Sequence, residues 1–215
     1  MQQSSGKVEQ GRPRATVAVC PSLVERYTSG MLKRLLDIVG AAVLLFLTSP
    51  VFLLAAGAIK AHDRGPILFR QMRVGKDGQH FPIYKFRSMV QDADKIGGYA
   101  TAANDGRITP IGRILRRFSI DELPQLINVL KGDMSLVGPR PDVPAQGTLY
   151  SPTELHLRQS VRPGITGFAQ AIGRSTLTKA GRKRLDLEYV DRKSTLLDAK
   201  ILLLTALKLF KTNGN

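Results

Sequence analysis

Two adjacent carboxylates near the middle of the chain, Asp121 and Glu122, are the pair of residues best suited to chemistry. Ser119 precedes them at the spacing Ser-x-x-Glu, which is the pattern of a helix capping box, and on spacing alone this structural interpretation is favoured. Three arginines between residues 113 and 117 weigh against it, because neighbouring positive charges keep carboxylates ionised and lower their pKa. An ionised carboxylate is a poor general acid, but it suits a nucleophile toward phosphorus or a ligand for Mg²⁺.

Basic residues in three other motifs are candidates for binding phosphate. Arg140 lies between two prolines, which would hold its guanidinium ready for a bidentate phosphate contact; the alternative is a surface arginine in a rigid turn. Lys85 and Arg87 flank a phenylalanine, either as a phosphate-binding pair or as a solvated strand end. Arg162 opens Arg-Pro-Gly-Ile-Thr-Gly, where an ordinary glycine turn is favoured over a nucleotide pocket on spacing alone. The predicted phosphate- and substrate-binding set is Lys85, Arg87, Arg117, Arg140, Arg162 and Gln170.

The composition indicates an anionic partner and excludes several familiar sites. The formal net charge of +15 fits phosphorylated substrates, an anionic lipid surface or nucleic acid. Aromatic residues make up only 6% of the chain and Trp is absent, which argues against the stacking surfaces of single-strand binders, so nucleic acid is not the predicted partner. Cys20 is the sole cysteine, so no disulfide and no cysteine-based zinc site is expected. The glycine-rich phosphate loops of the Walker and Rossmann types are missing.

The element that must position these residues is an interrupted apolar run. Residues 38–59 form 22 residues without a charge, which is long enough for a helix to reach across a bilayer of roughly 30 Å. Ser49 and Pro50 break the run near its middle, because proline removes a backbone donor and clashes with the preceding turn. Both flanks are basic, and the positive-inside rule places basic flanks on the cytoplasmic side. The pattern therefore predicts a re-entrant helix–break–helix that enters and leaves the membrane on one face.

The remaining chain predicts an α+β fold in which helices dominate. Alternating residues on either side of an Asp-Gly pair at 77–78 predict a β-hairpin of strands 67–71 and 80–86. Helical spacing predicts helices at 111–118, 121–131 and 179–192, and a shorter one at 90–97. The predicted organisation is a flexible tail (1–30), a re-entrant helical hairpin (31–60), a small cytoplasmic catalytic domain (61–195) and a C-terminal amphipathic helix lying at the membrane interface (196–215).

Several strings in a fixed order resemble the bacterial sugar transferases of the monotopic phosphoglycosyl transferase family. The resemblance covers about residues 31–211 and rests on motifs in register, not on any one of them. Many members carry Trp where this chain has Phe168, which leaves only fine specificity open. The chain resembles the minimal form, without the multi-span N-terminal region of longer members. The motifs are KRLLD at 33–37, QMRVG at 71–75, KFRSM at 85–89, SIDELPQ at 119–125, NVLKGDMSLVGPRP at 128–141 and RPGITG at 162–167.

The resemblance implies a specific reaction at the bacterial inner membrane, with the active site facing the cytoplasm. A sugar-1-phosphate would pass from a nucleotide diphosphate sugar, usually UDP-linked, to polyprenol (undecaprenyl) phosphate, with Mg²⁺ as cofactor. It also implies that Asp121 is the nucleophile, that a phosphosugar-enzyme ester forms, and that UMP is released. Asp121 and Glu122 would be the catalytic pair and the tentative Mg²⁺ ligands. Inner-membrane lipids and a homo-oligomer are further expected partners.

Two alternatives stay open from the sequence. A helix crossing the bilayer once would carry the same chemistry with a different topology. A basic membrane-surface or nucleic-acid-binding module would leave Asp121 and Glu122 as a helix cap without catalysis.

Overall fold

The computed structural model describes residues 23–97, 105–144, 149–173 and 177–211. These segments are mostly helical with a few short strands, which confirms the predicted α+β class. Most of the predicted tail, residues 1–22, lies outside the described part. The elements in chain order are α1 (Leu23–Leu47), α2 (Ser49–Asp63), β1 (Leu68–Val74), β2 (His80–Phe86), α3 (Ala93–Ile96), α4 (Pro110–Arg117), α5 (Gln125–Lys131), β3 (Ser135–Val137), α6 (Pro152–Gln159), β4 (Gly164–Thr166), α7 (Phe168–Ile172), α8 (Lys179–Arg192) and α9 (Thr195–Lys211).

The interrupted apolar run forms two helices that meet at an angle of 60°. Pro50 lies in the first turn of α2, where its missing N–H leaves no broken bond. The hydroxyls of Thr48 and Ser49 donate to the carbonyls of Leu44 and Phe46, both at 2.7 Å, and the Ser49 bond satisfies the Phe46 carbonyl, for which Pro50 has no N–H to donate. Within the described residues no single helix is long and apolar enough to cross a membrane, whereas the bent pair α1–α2 meets that test as a unit.

The middle of α1 is fixed to the globular part by polar contacts. Asp37, only 5% exposed, accepts hydrogen bonds from the Ser135 hydroxyl and the Leu136 amide at 3.0 Å each. Arg34 donates to the carbonyls of Val129 and Leu130 at the end of α5, where a helix favours positive charge. The bent pair is therefore attached to the globular part through α1 near Arg34 and Asp37. Many apolar side chains farther along α1 and α2 are exposed.

Two small sheets carry the loops around the site. β1 and β2 form the predicted antiparallel hairpin, in which Gln71 faces Ile83, and the Asp77-Gly78 turn takes left-handed backbone angles (φ 52° and 74°). β3 and β4 pair in parallel, with Val137 opposite Thr166. The parallel pair places the start of the loop that carries Pro139 and Pro141 next to the Arg-Pro-Gly segment, where Gly164 donates to the Pro139 carbonyl at 3.0 Å.

Three helix boundaries differ from the sequence prediction. The predicted helix 121–131 is a 3-10 turn at Ile120–Glu122 followed by α5, which begins only after Pro124. The helix predicted at 90–97 contracts to α3. Residues 168–172, for which no helix is predicted, form the short helix α7, which begins directly after Gly167, where a Cβ atom would overlap the Gly138 carbonyl oxygen.

The main core joins the two halves of the chain. It packs α1, β2, α5, β3, α8 and α9 together around buried side chains such as Met134 and Val129. The buried hydroxyl of Tyr189 lies within hydrogen-bond distance of two acceptors, the Val137 carbonyl at 3.0 Å and Asp198 at 2.9 Å, and Lys33 forms an ion pair with Asp198 at 2.6 Å. This cluster holds the C-terminal end of β3, which is followed directly by the loop that carries Arg140.

Candidate active site

Asp121 and Glu122 lie in the tight turn between α4 and α5. Ser119 takes a left-handed conformation (φ 56°), which ends α4 and reverses the chain. The capping-box interpretation is wrong, because the Ser119 side chain makes no capping bond there and the Glu122 carboxylate is directed to two cations. The turn thus presents both carboxylates to the neighbouring strand β2.

Helix α4 is held against the end of β2 by its first turn. The Thr109 hydroxyl accepts a hydrogen bond from the Gly112 amide at 2.9 Å and caps the helix. Gly112 lies directly on the backbone carbonyl of Ser88, where a Cβ atom would overlap that oxygen. One turn later, Arg116 donates from Nε to the Ser88 hydroxyl at 2.8 Å. Because of this close packing, Arg116 faces the same space as the carboxylate pair.

Glu122 is the electrostatic centre of the site. Its Oε1 atom accepts from Arg140 at 2.7 Å and from Lys85 at 2.9 Å, although these residues lie 18 and 37 positions away in the sequence. Burial alone would raise the pKa of Glu122, but the charges of Arg140 and Lys85 outweigh burial and lower it, as predicted. Burial lowers the pKa of Lys85, and Glu122 counteracts this shift. Glu122 is therefore a fixed anion that aligns two cations.

Asp121 behaves in the opposite way. Its side chain is 8% exposed, and burial first, then the charge of Glu122, raise its pKa; Lys85, Arg116 and Arg140 only partly offset this. The predicted lowering of the Asp121 pKa is wrong, because the sequence shows the nearby arginines but not the burial of the carboxylate. A poorly solvated carboxylate beside cations is a stronger nucleophile once ionised.

A cleft of about 1310 Å³ opens over the carboxylate pair. Its wall combines the turn that carries Asp121 with strand β2, the loop around Arg140 and the face of α7. Basic side chains predominate among its charged lining residues, which makes the cleft a site for anions. The basic residues that line it are Arg70, Arg73, Lys85, Arg87, Arg107, Arg116, Arg140, Arg182 and Lys208.

Four members of the predicted binding set line this cleft: Lys85, Arg87, Arg140 and Gln170. Arg87 also forms an ion pair with Asp63 at the end of α2, so the KFRS segment is linked to the bent helices. Both amide atoms of Gln170 are buried and lack a hydrogen-bond partner among the described residues. A buried amide without a partner is unfavourable, so Gln170 is suited to pair with a polar ligand.

Arg117 and Arg162 do not belong to the cleft wall, in contrast to the prediction. The Arg117 guanidinium lies 5.7 Å from the ring centre of Phe118, and Arg117, unlike Arg116, does not line the cleft. Arg162 donates to the carbonyl of Gly132 at 2.8 Å, where it caps the end of α5. Helical spacing could have indicated that Arg116, and not Arg117, lines the cleft. Arg116 is four residues from the packed Gly112 and therefore lies on the same face of α4.

Comparison with known proteins assigns the family. Residues 28–212 match the family described as bacterial sugar transferase. The chain belongs to this family. It is 43% identical over 184 residues to the uncharacterized sugar transferase EpsL of Bacillus subtilis, covering 86% of this chain and 90% of that one. It is 47% identical over 188 residues to the UDP-glucose:undecaprenyl-phosphate glucose-1-phosphate transferase of Escherichia coli, covering 84% of this chain but only 40% of that one.

A relative of the same printed activity from Caulobacter vibrioides is 46% identical over 189 residues, 85% of this chain and 71% of its own length. The predicted family is thus confirmed, and an enzyme is favoured over the non-catalytic basic module. In this sugar transferase the SIDELPQ motif contains the carboxylate pair and forms part of the wall of the cation-lined cleft.

The group that supports Arg140 in this sugar transferase is not among the residues that the sequence singled out. Arg158, only 6% exposed, donates to the Arg140 carbonyl at 2.6 Å and pairs with Asp142 at 2.8 Å and Asp186 at 3.2 Å. Tyr150 lies against its guanidinium, 4.9 Å from ring centre to carbon. The sequence did not indicate this arrangement, because the acids that pair with Arg158 lie 16 and 28 residues away from it.

The carboxylate pair fits Mg²⁺ only together with a substrate. In the described ranges no cluster of three or more His, Cys, Asp or Glu residues is arranged to hold a metal ion. Mg²⁺ is commonly held by one or two carboxylates plus substrate phosphates and water. Asp121 and Glu122 would supply that part of the ligand set, and the cleft leaves room for phosphates beside them.

Proposed function

We propose that this enzyme transfers a sugar-1-phosphate from a UDP-sugar to undecaprenyl phosphate and so initiates the synthesis of a bacterial glycan such as an exopolysaccharide, a capsule, an O-antigen or a glycoprotein glycan. The observation that carries the proposal is the buried Asp121 carboxylate, set among Lys85, Arg116 and Arg140 in the cleft. The printed activities of the Escherichia coli and Caulobacter relatives support the two substrates.

Asp121 is the nucleophile in the proposed reaction. One carboxylate oxygen attacks the β-phosphorus of the UDP-sugar; the new O–P bond forms as the bond from β-phosphorus to the bridging oxygen breaks, and UMP leaves with that electron pair. A phosphate oxygen of undecaprenyl phosphate then attacks the same phosphorus, which frees the Asp121 carboxylate and yields the lipid-linked diphosphate sugar. Splitting the exchange into two steps avoids bringing two anionic substrates together at once.

The positive charges of the cleft offset the negative charge of the reacting phosphates. Arg140 and Lys85 are held in place by Glu122, so they need little reorganisation when a diphosphate binds. Because the pKa of Glu122 is lowered, it keeps its charge throughout and serves to position the two cations. The carboxylate pair and the donor diphosphate would hold Mg²⁺, which supplies further charge neutralisation when bound.

In this proposal the site lies at a membrane surface. The apolar exteriors of α1 and α2, their 60° bend and the basic residues at both ends support a re-entrant anchor that keeps both ends on the cytoplasmic side of the inner membrane. Single cysteines at Gly30 and Ala61, with Cys20 replaced by Ser, test this topology. Both should react with an impermeant reagent from the cytoplasmic side of vesicles; reaction from opposite sides would instead identify a spanning helix.

Trapping of the covalent intermediate tests the chemistry. Wild-type protein incubated with a UDP-sugar labelled in the β-phosphate should retain label and release UMP without acceptor. Asp121→Asn should lose both, because an amide is a far weaker nucleophile. Asp77→Asn in the exposed hairpin turn is the matched control, since asparagine tolerates the left-handed conformation there. Label retained by Asp121→Asn would refute the assignment.

A further inference from the structure

One arginine of the cleft wall, Arg73 on strand β1, takes no part in the contacts of the carboxylate pair. Its two terminal nitrogens donate to uncharged oxygens, the Pro141 carbonyl at 3.2 Å and the Gln71 side chain at 2.5 Å. Its Nε atom is buried and has no hydrogen-bond partner among the described residues. A guanidinium that lines a cleft and is held by neutral groups is suited to bind an anion.

Arg73 is fixed to the loop that carries Arg140. One oxygen of the carboxylate pair accepts from Arg140 at 2.7 Å, and the carbonyl of the next residue, Pro141, accepts from Arg73. The Val74 amide donates to the Asp142 carbonyl at 3.0 Å and holds strand β1 to the same loop. Along these contacts the order is therefore the carboxylate pair, then Arg140, then Arg73.

The acids nearest to Arg73 are already bound by other cations. Asp142 pairs with Arg158 at 2.8 Å, and Glu122 is bound by the two cations described above. Arg182 adds positive charge near Arg73, and its own contact with Asp142 is longer, at 3.6 Å. Burial is the main cause that lowers the pKa of Arg73, because its charge is poorly solvated. An anion in this part of the cleft would supply the missing negative charge.

We propose that Arg73 binds a phosphate monoester, the α-phosphate of the departing UMP, next to the β-phosphate that Asp121 attacks. This inference rests on the proposed function. In phosphoryl transfer the attacking and leaving oxygens lie roughly in line, so the leaving group points away from Asp121. Arg140 contacts the carboxylate pair and its loop also holds Arg73, so the outer phosphate of the donor reaches Arg73.

Arg73 acts on the charge that develops as UMP leaves. When the bond from the β-phosphorus to the bridging oxygen breaks, its electron pair stays on that oxygen and the α-phosphate becomes a dianion. A cation fixed beside this phosphate stabilises the transition state more than the bound UDP-sugar, because the extra charge is absent from the ground state.

Single-turnover labelling without acceptor tests the inference. Arg73→Gln should slow the labelling of Asp121 from a UDP-sugar that carries label in its β-phosphate roughly 10- to 100-fold, the order expected for the loss of a charge-assisted hydrogen bond. Arg73→Lys should recover part of this rate, because it keeps the charge and loses only the planar fork. Lys76→Gln is the matched control, since it removes one positive charge from the exposed turn of the same hairpin, outside the cleft, and should label at the wild-type rate.

Discharge of the labelled enzyme identifies the phosphate that Arg73 binds. Added UMP should drive the reverse reaction, and Arg73→Gln should slow this discharge by about the same factor as the labelling, because both directions share one transition state. Loss of the label to water should proceed at the wild-type rate in Arg73→Gln, since no phosphate monoester takes part. Slower loss to water would show that Arg73 acts on the β-phosphate and would overturn the inference.

Labelling and UMP-driven discharge at wild-type rates in Arg73→Gln would also overturn it. A defect confined to discharge by undecaprenyl phosphate would do the same, because it would assign the phosphate site to the acceptor. Failure of the wild-type protein to release UMP from any UDP-sugar is a separate result, which would refute the proposed function and this inference with it.

Discussion

Replacing Arg158 by methionine should destabilise the protein strongly, because Arg158 neutralises two carboxylates at the back of the active site. It pairs with Asp142 and with Asp186, which is only 1% exposed, and it bonds to the Arg140 carbonyl. Methionine fills a similar volume but leaves Asp186 without its cation. The Tyr150 hydroxyl, 3.2 Å from Asp186, would remain as a single neutral donor.

The expected loss follows from the burial of these groups. Removing one partner of a buried ion pair reduces the free energy of unfolding by about 3–5 kcal/mol, because the remaining charge is left uncompensated. For a chain of this size that corresponds to a decrease of roughly 6–20 °C in the melting temperature. The change is measured by circular dichroism of the detergent-purified protein during heating, with the wild type beside it.

Arg182→Met is the matched control for Arg158→Met. Arg182 contacts the same residue, Asp142, but at 3.6 Å and with a side chain that is 39% exposed, so its loss should reduce the free energy of unfolding by less than about 1 kcal/mol. Adding Asp186→Asn to Arg158→Met removes the orphaned charge and should recover part of the loss. Equal melting temperatures for Arg158→Met and Arg182→Met would refute the reasoning.

The pH dependence of the Arg158→Met variant gives a second check. Burial already raises the pKa of Asp186 in the wild type, and Arg158 is the main group opposing that rise. Without Arg158 the pKa of folded Asp186 rises further above its unfolded value, so the folded variant binds a proton that the unfolded chain has released. Its stability deficit should therefore be full at pH values above the raised pKa and shrink as the pH falls through it.

Two further predictions concern the packing of α4. Arg116→Ala should move the acidic limb of the pH–rate profile to higher pH, since the loss of a cation raises the pKa of Asp121 further and the nucleophile must be ionised. Arg117→Ala, which changes an adjacent arginine that does not line the cleft, should leave the limb in place. Gly112→Ala should reduce the free energy of unfolding by about 1–3 kcal/mol in thermal melts because its methyl group would overlap a backbone carbonyl. Gly106→Ala, in open space, should leave the melting temperature close to that of the wild type, and equal melts for the two alanine variants would contradict the packing argument.

Local elements of this enzyme follow directly from its sequence. The hairpin turns at Asp77-Gly78 as predicted, α8 has the predicted bounds, and the bend between α1 and α2 lies at the Ser-Pro pair. These features depend on backbone preferences of a few adjacent residues, so a short window of sequence contains their cause. The helix boundaries that were predicted wrongly, such as the start of α5, depend on how Pro124 is accommodated in the preceding turn.

The environment of the site was decided by tertiary structure. The sequence identified Asp121 and Glu122, but it assigned both a lowered pKa, and only Glu122 has one. Two adjacent carboxylates differ because Glu122 reaches Lys85 and Arg140 from distant parts of the chain, whereas Asp121 is buried beside that same negative charge.

The same reason explains which arginines matter. Arg116 and Arg117 are alike in sequence, and the contact of α4 with Ser88 turns only the former into the cleft. Arg158 is held behind Arg140 by ion pairs with Asp142 and Asp186, which lie 16 and 28 residues away in the sequence. Residue types and motif order therefore determined the family and the reacting pair. Burial and long-range charge, which exist only once the chain is folded, determined the ionisation of that pair and the cations that serve it.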